Sequence, residues 1–277
     1  MYKAVKRVFL CAAAAAAVFG AVSRAHANAP EEGSRSLPVI MYHSVVKDPS
    51  LAGEYVITTD ELEADLRYLR GSGYTPVLCR DLPAFVEGTA ELPEKPVVLT
   101  FDDGCYNNFY YALPLIERYG CKAVFAPVAE WAEQAAAEEA PSVVYSYMDA
   151  ENLRTCALSG RVELACHSYA LHDISVRRGV LRRNGETAQE YRRMLLTDLD
   201  RARRFLERVS GEPVVTLAYP YGFYDDTAEE TAAELGFEVT LSCEERVNTV
   251  SRGDYSCLAR LGRFNRASGR GAWTFLP

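Results

Sequence analysis

Basic residues and histidines are both scarce in this chain. Its 277 residues include 30 lysines and arginines against 38 aspartates and glutamates, and only four histidines. This excess of acidic residues argues against a nucleic-acid partner, because binding to phosphates needs a basic surface. The eight cysteines show no C-x-x-C spacing, so a structural zinc knuckle is not indicated. The sequence also lacks internal repeats and linkers, and its length therefore indicates one large domain.

The N-terminus has the pattern of an export signal. Three basic residues come first, Lys3, Lys6 and Arg7. An apolar, alanine-rich run over residues 8–22 follows, and an A-x-A cleavage site ends at Ala27. We predict a signal peptide over residues 1–27 and a secreted or cell-surface protein. The run is short for a membrane span, so we expect cleavage and no stable span, with an uncleaved anchor as the alternative.

The rest of the chain divides into a short tether and one folded domain. Residues 28–36 are polar and predict a tether, and residues 37–277 predict the domain. Strand-like and helix-like segments alternate about seven times in it. The first predicted strand covers residues 37–45 and the last covers residues 258–264, while the longest helix covers about residues 187–209. This alternation is typical of parallel β/α units in an open sheet or a barrel, whose functional sites lie at the carboxyl ends of the strands.

One predicted strand ends in two adjacent carboxylates. The apolar segment 96–101 runs directly into Asp102 and Asp103, and Gly104 follows. Burying two acids costs free energy unless something offsets their charge. A metal ion, with one acid as its ligand and the other as a base, would do so. The alternative is a turn with solvated aspartates, since Asp-Gly is common in turns.

Three histidines of the predicted domain fall at or just beyond strand ends: His43, His167 and His172. The five-residue spacing of His167 and His172 suits a strand end and the following turn. With Asp103 they form a two-histidine, one-carboxylate set that leaves coordination positions open to water, which is typical of a catalytic metal site. These ligands indicate one divalent ion, with Zn²⁺ favoured and Co²⁺, Ni²⁺ or Fe²⁺ as alternatives.

Three segments together resemble a known family. They are Thr-Phe-Asp-Asp-Gly at residues 100–104, His-Ser…His at residues 167–172 and Ala-Tyr-Pro-Tyr-Gly at residues 218–222. In this order they resemble motifs of the polysaccharide deacetylases of carbohydrate esterase family 4, the NodB-homology domain, over about residues 37–264. The resemblance implies an α/β fold, a distorted, TIM-barrel-like (β/α)7 barrel, as a single domain. It also implies hydrolysis of N-acetyl groups from a GlcNAc-containing polysaccharide.

The resemblance further implies a role for each motif residue. Asp102 would be the general base. The metal ligands would be Asp103, His167 and His172. The segment Tyr219, Pro220 and Tyr221 would bind substrate, with the backbone N–H of Tyr219 holding the oxyanion and Tyr221 lining the sugar groove.

Two positions depart from the family pattern. Ala218 stands where the family usually has an arginine that orients the base, and no histidine follows His172, although the family usually takes its acid from a C-terminal Leu-x-His. However, the first strand, with His43 near its end, resembles the circularly permuted branch that includes poly-β-1,6-N-acetylglucosamine deacetylases. In that branch the first strand supplies the acid. The resemblance therefore implies His43 as the general acid, and the alternative is a core histidine.

The sequence thus predicts an exported, metal-dependent N-deacetylase that acts on exopolysaccharide or peptidoglycan glycan. Because of the two departures, the alternative is a catalytically silent, glycan-binding surface protein that keeps the fold. The arginine-rich segment 173–185 predicts a solvated loop, and contact with anionic wall polymers is the alternative. The oligomeric state is not determined by the sequence.

Overall fold

The computed structural model describes residues 33–276. The predicted signal peptide therefore lies outside the described residues, as does most of the predicted tether. Within the described residues, no helix has both the length and the apolar character that crossing a bilayer requires.

Parallel strands form the centre of the molecule. Six of them make one sheet: β2 (Val39–Tyr42), β5 (Thr75–Pro76), β6 (Pro96–Asp103), β7 (Ala123–Pro127), β8 (Val162–Leu164) and β12 (Phe264–Asn265). The main order in this sheet is β12-β2-β6-β7-β8, and β5 pairs with the start of β6. Two further strands, β9 (Thr216–Ala218) and β10 (Val239–Leu241), form a parallel pair. The architecture is α/β, as predicted.

Single parallel bridges join the pair to the larger sheet. Cys166, just after β8, bridges Leu217 of β9, and Leu241 of β10 bridges Leu261, just before β12. Backbone hydrogen bonds accompany both bridges: Cys166 N donates to Thr216 O at 2.9 Å, and the N–H of residue 242 donates to Leu261 O at 2.8 Å. The strand ends that carry the predicted site residues are therefore neighbours in space.

Residues of β6 alternate between two hydrophobic clusters. Val97, Leu99 and Phe101 belong to the larger cluster, which contains buried side chains from most of the helices, whereas Val98 belongs to a smaller one. The smaller cluster also takes residues from β2, β7, β9 and β10. Since successive side chains of a strand point to opposite faces, this alternation explains why the segment is apolar at nearly every position.

Seven α-helices lie among the described residues: α1 (Thr59–Gly71), α2 (Leu82–Glu87), α3 (Leu113–Tyr119), α4 (Ala129–Ala135), α5 (Ala150–Leu158), α6 (Ala188–Ser210) and α7 (Asp226–Glu234). The longest, α6, confirms the predicted helix over residues 187–209. Thr187 and Glu190 form a capping box at its start, and Gly211 ends it with a left-handed φ of 75°.

The N-terminal part of the domain differs from the prediction. The predicted first strand divides into β2 and β3 (Ser44–Val46), and β3 pairs in parallel with β4 (Val56–Thr58). The last residues of the predicted tether are part of a strand. That strand, β1 (Ser34–Leu37), pairs antiparallel with β11 (Asn248–Ser251). Leu37 and Val250 are fully buried in the smaller cluster, so apolar burial stabilises a pairing that polar composition alone did not indicate. The predicted last strand is also much shorter, since only β12 forms.

Candidate active site

The two acids at the end of β6 occupy different surroundings. Asp102 is 1% exposed, whereas Asp103 is partly exposed and has a left-handed φ of 69°. Gly104 completes the turn, and a Cβ there would lie 2.6 Å from Pro127 Cβ. Glycine is therefore required both by the φ of 80° and by this close approach. The turn separates two consecutive carboxylates that the sequence alone does not distinguish.

Asp103, His167 and His172 meet at one point. One ligand atom from each lies within 4.8 Å of the others. Asp103 Oδ1 is 3.6 Å from His167 Nε2 and 3.3 Å from His172 Nε2. The structure thus brings together the three residues predicted as metal ligands.

The chemistry of these donors fits a divalent cation. His167 Nδ1 lies 2.8 Å from the carbonyl oxygen of Ala218, and a donor N–H at Nδ1 leaves the Nε2 lone pair for a metal. Burial lowers the pKa of His167 to about 3, which keeps the ring neutral. Burial also raises the pKa of Asp103 to about 6, so the anionic form needs a cation beside it.

The loop between the two histidines is fixed by a carboxylate of α6. Asp198 accepts hydrogen bonds from the backbone N–H groups of Tyr169, at 2.8 Å, and Ala170, at 2.9 Å. Burial raises the pKa of Asp198 to about 6. Both bonded N–H groups lie between His167 and His172, so Asp198 helps to set the relative positions of the two rings.

Asp102 forms a buried ion pair with Arg263. Arg263 Nη1 donates to Asp102 Oδ1 at 2.8 Å, and the two side chains are 0% and 2% exposed. Arg263 also donates from Nε to the carbonyl oxygen of Ser242 at 2.9 Å. Burial is the largest single influence and raises the pKa of Asp102, but the adjacent Arg263 guanidinium, together with His167 and His43, lowers the pKa to about 2, below its usual value. Asp102 is therefore ionised.

Sequence reasoning missed Arg263. The family pattern drew attention to Ala218, where the expected arginine is absent, and not to the start of the last strand. One signal was available: Arg260 and Arg263 interrupt the predicted last strand, and an arginine that is buried there needs an acidic partner.

His43 reaches the same cavity from the turn between β2 and β3. A cavity of about 640 Å³ is lined by His43, by both acids and by both ligand histidines. The backbone carbonyl of His43 accepts a hydrogen bond from Asn108 at 2.6 Å, which fixes the turn. The ring nitrogen Nδ1 of His43 is buried and has no hydrogen-bond partner among residues 33–276. The predicted acid is thus placed at the site without a carboxylate to orient its ring.

The Ala-Tyr-Pro-Tyr-Gly segment only partly fits its predicted role. The backbone N–H of Tyr219 donates to the carbonyl oxygen of Leu241 at 3.0 Å, so it is not free to hold an oxyanion, and that prediction is wrong. Tyr219 continues β9, and its ring packs in the larger cluster against Tyr224. Pro220 is buried away from the cavity. Tyr221, by contrast, lines the cavity, and its ring lies 4.5 Å from that of His172.

A sequence profile described as "Polysaccharide deacetylase" matches residues 89–240, which is more than half of the chain. Among curated proteins, the poly-beta-1,6-N-acetyl-D-glucosamine N-deacetylase of Escherichia coli (strain K12) is 29% identical over 236 residues. That match covers 78% of this chain but 35% of the relative. The chain therefore spans about a third of the length of this relative.

Two solved structures are also similar. A de-N-acetylase from Aggregatibacter actinomycetemcomitans has a TM-score of 0.72 at 25% identity, covering 87% of this chain and 100% of that chain. IcaB from Ammonifex degensii has a TM-score of 0.69 at 25% identity, with 84% and 92% covered. The likeness extends over nearly all of the described residues.

Proposed function

Because the chain belongs to the polysaccharide deacetylase family, we propose that it removes N-acetyl groups from a GlcNAc-containing polysaccharide of the poly-β-1,6-linked type. The observation that carries this proposal is that two adjacent acids in one cavity have different surroundings. The charge of ionised Asp102 is balanced by Arg263, whereas Asp103 faces two histidines and has no ion pair with a lysine or arginine of residues 33–276. Such a site provides a base and a metal position side by side.

One divalent ion is proposed as the cofactor, with Zn²⁺ favoured over Co²⁺, Ni²⁺ or Fe²⁺ by the two-histidine, one-carboxylate set. Asp103, His167 and His172 would hold it. When bound, the ion supplies Lewis-acid chemistry, activating water and polarising the acetamide carbonyl.

Asp102 and His43 would move the protons. Asp102 Oδ1 is held by Arg263, and Oδ2, which has no hydrogen bond within residues 33–276, would take the proton of the attacking water. An amine leaves poorly unless it is protonated, and His43 would donate that proton. Tyr221 would line the sugar site beside His172.

We also propose that the strands close into a distorted (β/α)7 barrel in a single domain over residues 37–277. The two isolated bridges and the pairing of β12 with β2 support closure.

The A-x-A site ending at Ala27 supports cleavage of residues 1–27 and a secreted or cell-surface protein.

The competing proposal is a silent glycan-binding protein. One of its two reasons, the absence of an arginine at Ala218, is weakened because Arg263 supplies a cation to Asp102. The other reason is the missing C-terminal histidine, which His43 would replace.

Acetate release tests both proposals. The purified protein is stripped with a chelator, reloaded with each of the four metals and incubated with poly-β-1,6-GlcNAc, peptidoglycan glycan and chitin oligomers. We expect acetate from the first polymer, lost on chelation and restored by metal. One bound metal with no acetate from any polymer would favour the silent protein.

A further inference from the structure

The arginine-rich segment predicted as a solvated loop is an ordered surface next to the candidate active site. We call residues 173–186 the arginine loop. Arg177 is 6% exposed and forms a two-point ion pair with Glu186, with N···O distances of 2.7 and 2.9 Å. These hydrogen bonds hold the pKa of Glu186 at about 2. Gly179 lies so close to Pro220 that a Cβ would be 2.6 Å from the Pro220 carbonyl oxygen. The loop is thus fixed against the predicted substrate segment.

This anchoring leaves two guanidinium groups available. Arg182 donates to the backbone carbonyl of Glu186, but the side chains of Arg178 and Arg183 have neither an ion pair nor a hydrogen bond to any residue within 33–276. Arg178 stacks over the ring of Phe223, with its Cζ 4.5 Å from the ring centroid. Stacking positions the guanidinium and leaves its edge free to donate. The loop contains four arginines and only two acids, in a chain with a net charge of −8.

Three neighbouring cavities, each sharing lining residues with the next, lie between the candidate metal ligands and these arginines. The main cavity shares His172 and Tyr221 with a neighbouring cavity of about 340 Å³. That second cavity shares Ile174 with a third one of about 350 Å³, lined by the four arginines of the loop. Aromatic rings line the same path. The ring centroids of Tyr221 and Phe223 are 6.3 Å apart, and Arg178 stacks on the ring of Phe223. A glycan extending from the acetamide site past Tyr221 would therefore reach the arginine loop.

We propose that the arginine loop binds an anionic substituent, a carboxylate or a phosphate, on the glycan whose acetamide lies at the metal centre. This inference rests on the proposed function, because it names the substrate class of the same site. Arg178 and Arg183 are the residues that contact the substituent, and Arg177 is the positioning residue that fixes the loop through Glu186. Within the proposed substrate class, a GlcNAc polymer that carries an acidic substituent would then bind more tightly than the unsubstituted polymer.

Equilibrium binding to the full chain tests the proposal without requiring turnover. Neutral GlcNAc oligomers are compared with oligomers of equal length that carry one carboxylate or one phosphate. We expect the acidic oligomers to bind about three- to tenfold more tightly at low salt, the range expected for two exposed charge pairs, and to lose this advantage at high salt. The two acidic oligomers distinguish a carboxylate from a phosphate ligand.

The variant R178Q/R183Q should reduce the ratio of neutral to acidic Kd to about one. The matched control is R193Q/R208Q, which removes the same charge from two exposed positions on α6 that have no ion pair within residues 33–276. This control should keep the ratio, and metal content and Tm report whether either variant is folded. A preserved ratio in R178Q/R183Q, or an equal loss in the control, would overturn the proposal.

Two further outcomes are informative. Anionic phospholipid vesicles serve as a second probe, because Ile174 and Val176 of the arginine loop are more than half exposed. Vesicle binding that depends on Arg178 and Arg183, without discrimination between oligomers, would replace the glycan with a membrane surface and overturn the proposal. Absence of acetate from every substrate would contradict the proposed function alone, since charge-dependent binding is measured separately.

Discussion

Arg263 and Asp102 are 161 residues apart in the sequence, and yet Arg263 Nη1 donates to Asp102 Oδ1 at 2.8 Å with both side chains buried. The pair keeps the proposed base ionised in an environment that would otherwise favour its neutral form. It also ties the segment before β12 to the end of β6.

Replacing Arg263 should therefore change both stability and the pH dependence of activity. In Arg263→Met, Asp102 becomes an uncompensated buried charge, and we expect the free energy of unfolding to fall by about 3–5 kcal/mol. Because the guanidinium lowers the pKa of Asp102, its loss should raise that pKa and move the acidic limb of kcat/KM to higher pH. Urea unfolding and the pH profile measure the two effects.

Two further variants serve as comparisons for Arg263→Met. Arg263→Lys keeps the positive charge but loses the planar guanidinium with its several N–H donors. It should fold and show a smaller shift of the acidic limb than Arg263→Met. Arg246→Met removes a surface pair with Glu244 and should change stability by less than about 1 kcal/mol. An acidic limb that does not move in a folded Arg263 variant would contradict the role of the pair.

The two adjacent acids should separate metal binding from proton transfer. We expect Asp103→Ala to lose the metal, because it removes the only carboxylate of the ligand set. Asp102→Asn should keep the metal and lose about 10²–10⁴-fold in kcat, the range for removal of a general base. Metal analysis and acetate release on the same preparations test this. Metal retained in the Asp103 variant would mean that the two roles are exchanged.

His43 is tested by a variant at the turn after β2. His43→Ala should keep the metal, because the ring is not among the three ligands, and should lower kcat by about 10²–10⁴-fold if it protonates the leaving amine. Near-normal turnover with the metal bound would leave His43 as a residue of the cavity wall only.

Asp198 should affect the metal centre from outside it. In Asp198→Asn the side chain retains only one oxygen for the N–H groups of Tyr169 and Ala170, and we expect a loss of about 1–3 kcal/mol in the free energy of unfolding together with weaker metal binding. Metal competition titration measures the affinity. Asp200→Asn, two positions along α6, is the control and should leave the metal affinity unchanged.

Asp198→Asn should also alter the pH dependence of stability. Burial raises the pKa of Asp198 to about 6 from an ordinary value near 3.8. The folded protein therefore holds this proton more tightly than the unfolded chain does. Its contribution to stability is fully present below about pH 4 and is lost as the pH rises through about 6. Asp198→Asn should remove this contribution, and an unchanged slope of stability against pH from 4 to 6 would contradict the assignment.

The family, and the meeting of the three candidate metal ligands, could be predicted because their information is local. Asp103, His167 and His172 lie in short motifs at strand ends, and the carboxyl ends of parallel strands meet at one edge. The match of the family profile to residues 89–240 confirms the resemblance drawn from those motifs. The 3.6-residue repeat of α6 was equally local, and that helix is confirmed.

Other features depend on contacts between distant segments. Arg263 contacts Asp102 only because β12 lies beside β2 and β2 beside β6, a strand order that spacing does not encode. The pairing of β1 with β11 joins segments more than 200 residues apart. The error at Tyr219 arose because the family motif identifies the segment but not which backbone N–H the neighbouring strand β10 already uses.

The position of Arg263 also bears on how relatives with degenerate motifs should be classified. Arg263, just before the last strand, already places a cation beside Asp102, the proposed base, so an arginine at the position of Ala218 is not needed to supply that charge. The arginine that pairs with this aspartate could thus move from one strand to another during evolution without a change in the charge beside the aspartate. A search that rejects sequences lacking the motif arginine would therefore discard proteins of this kind, and an arginine just before the final strand is the feature to look for instead.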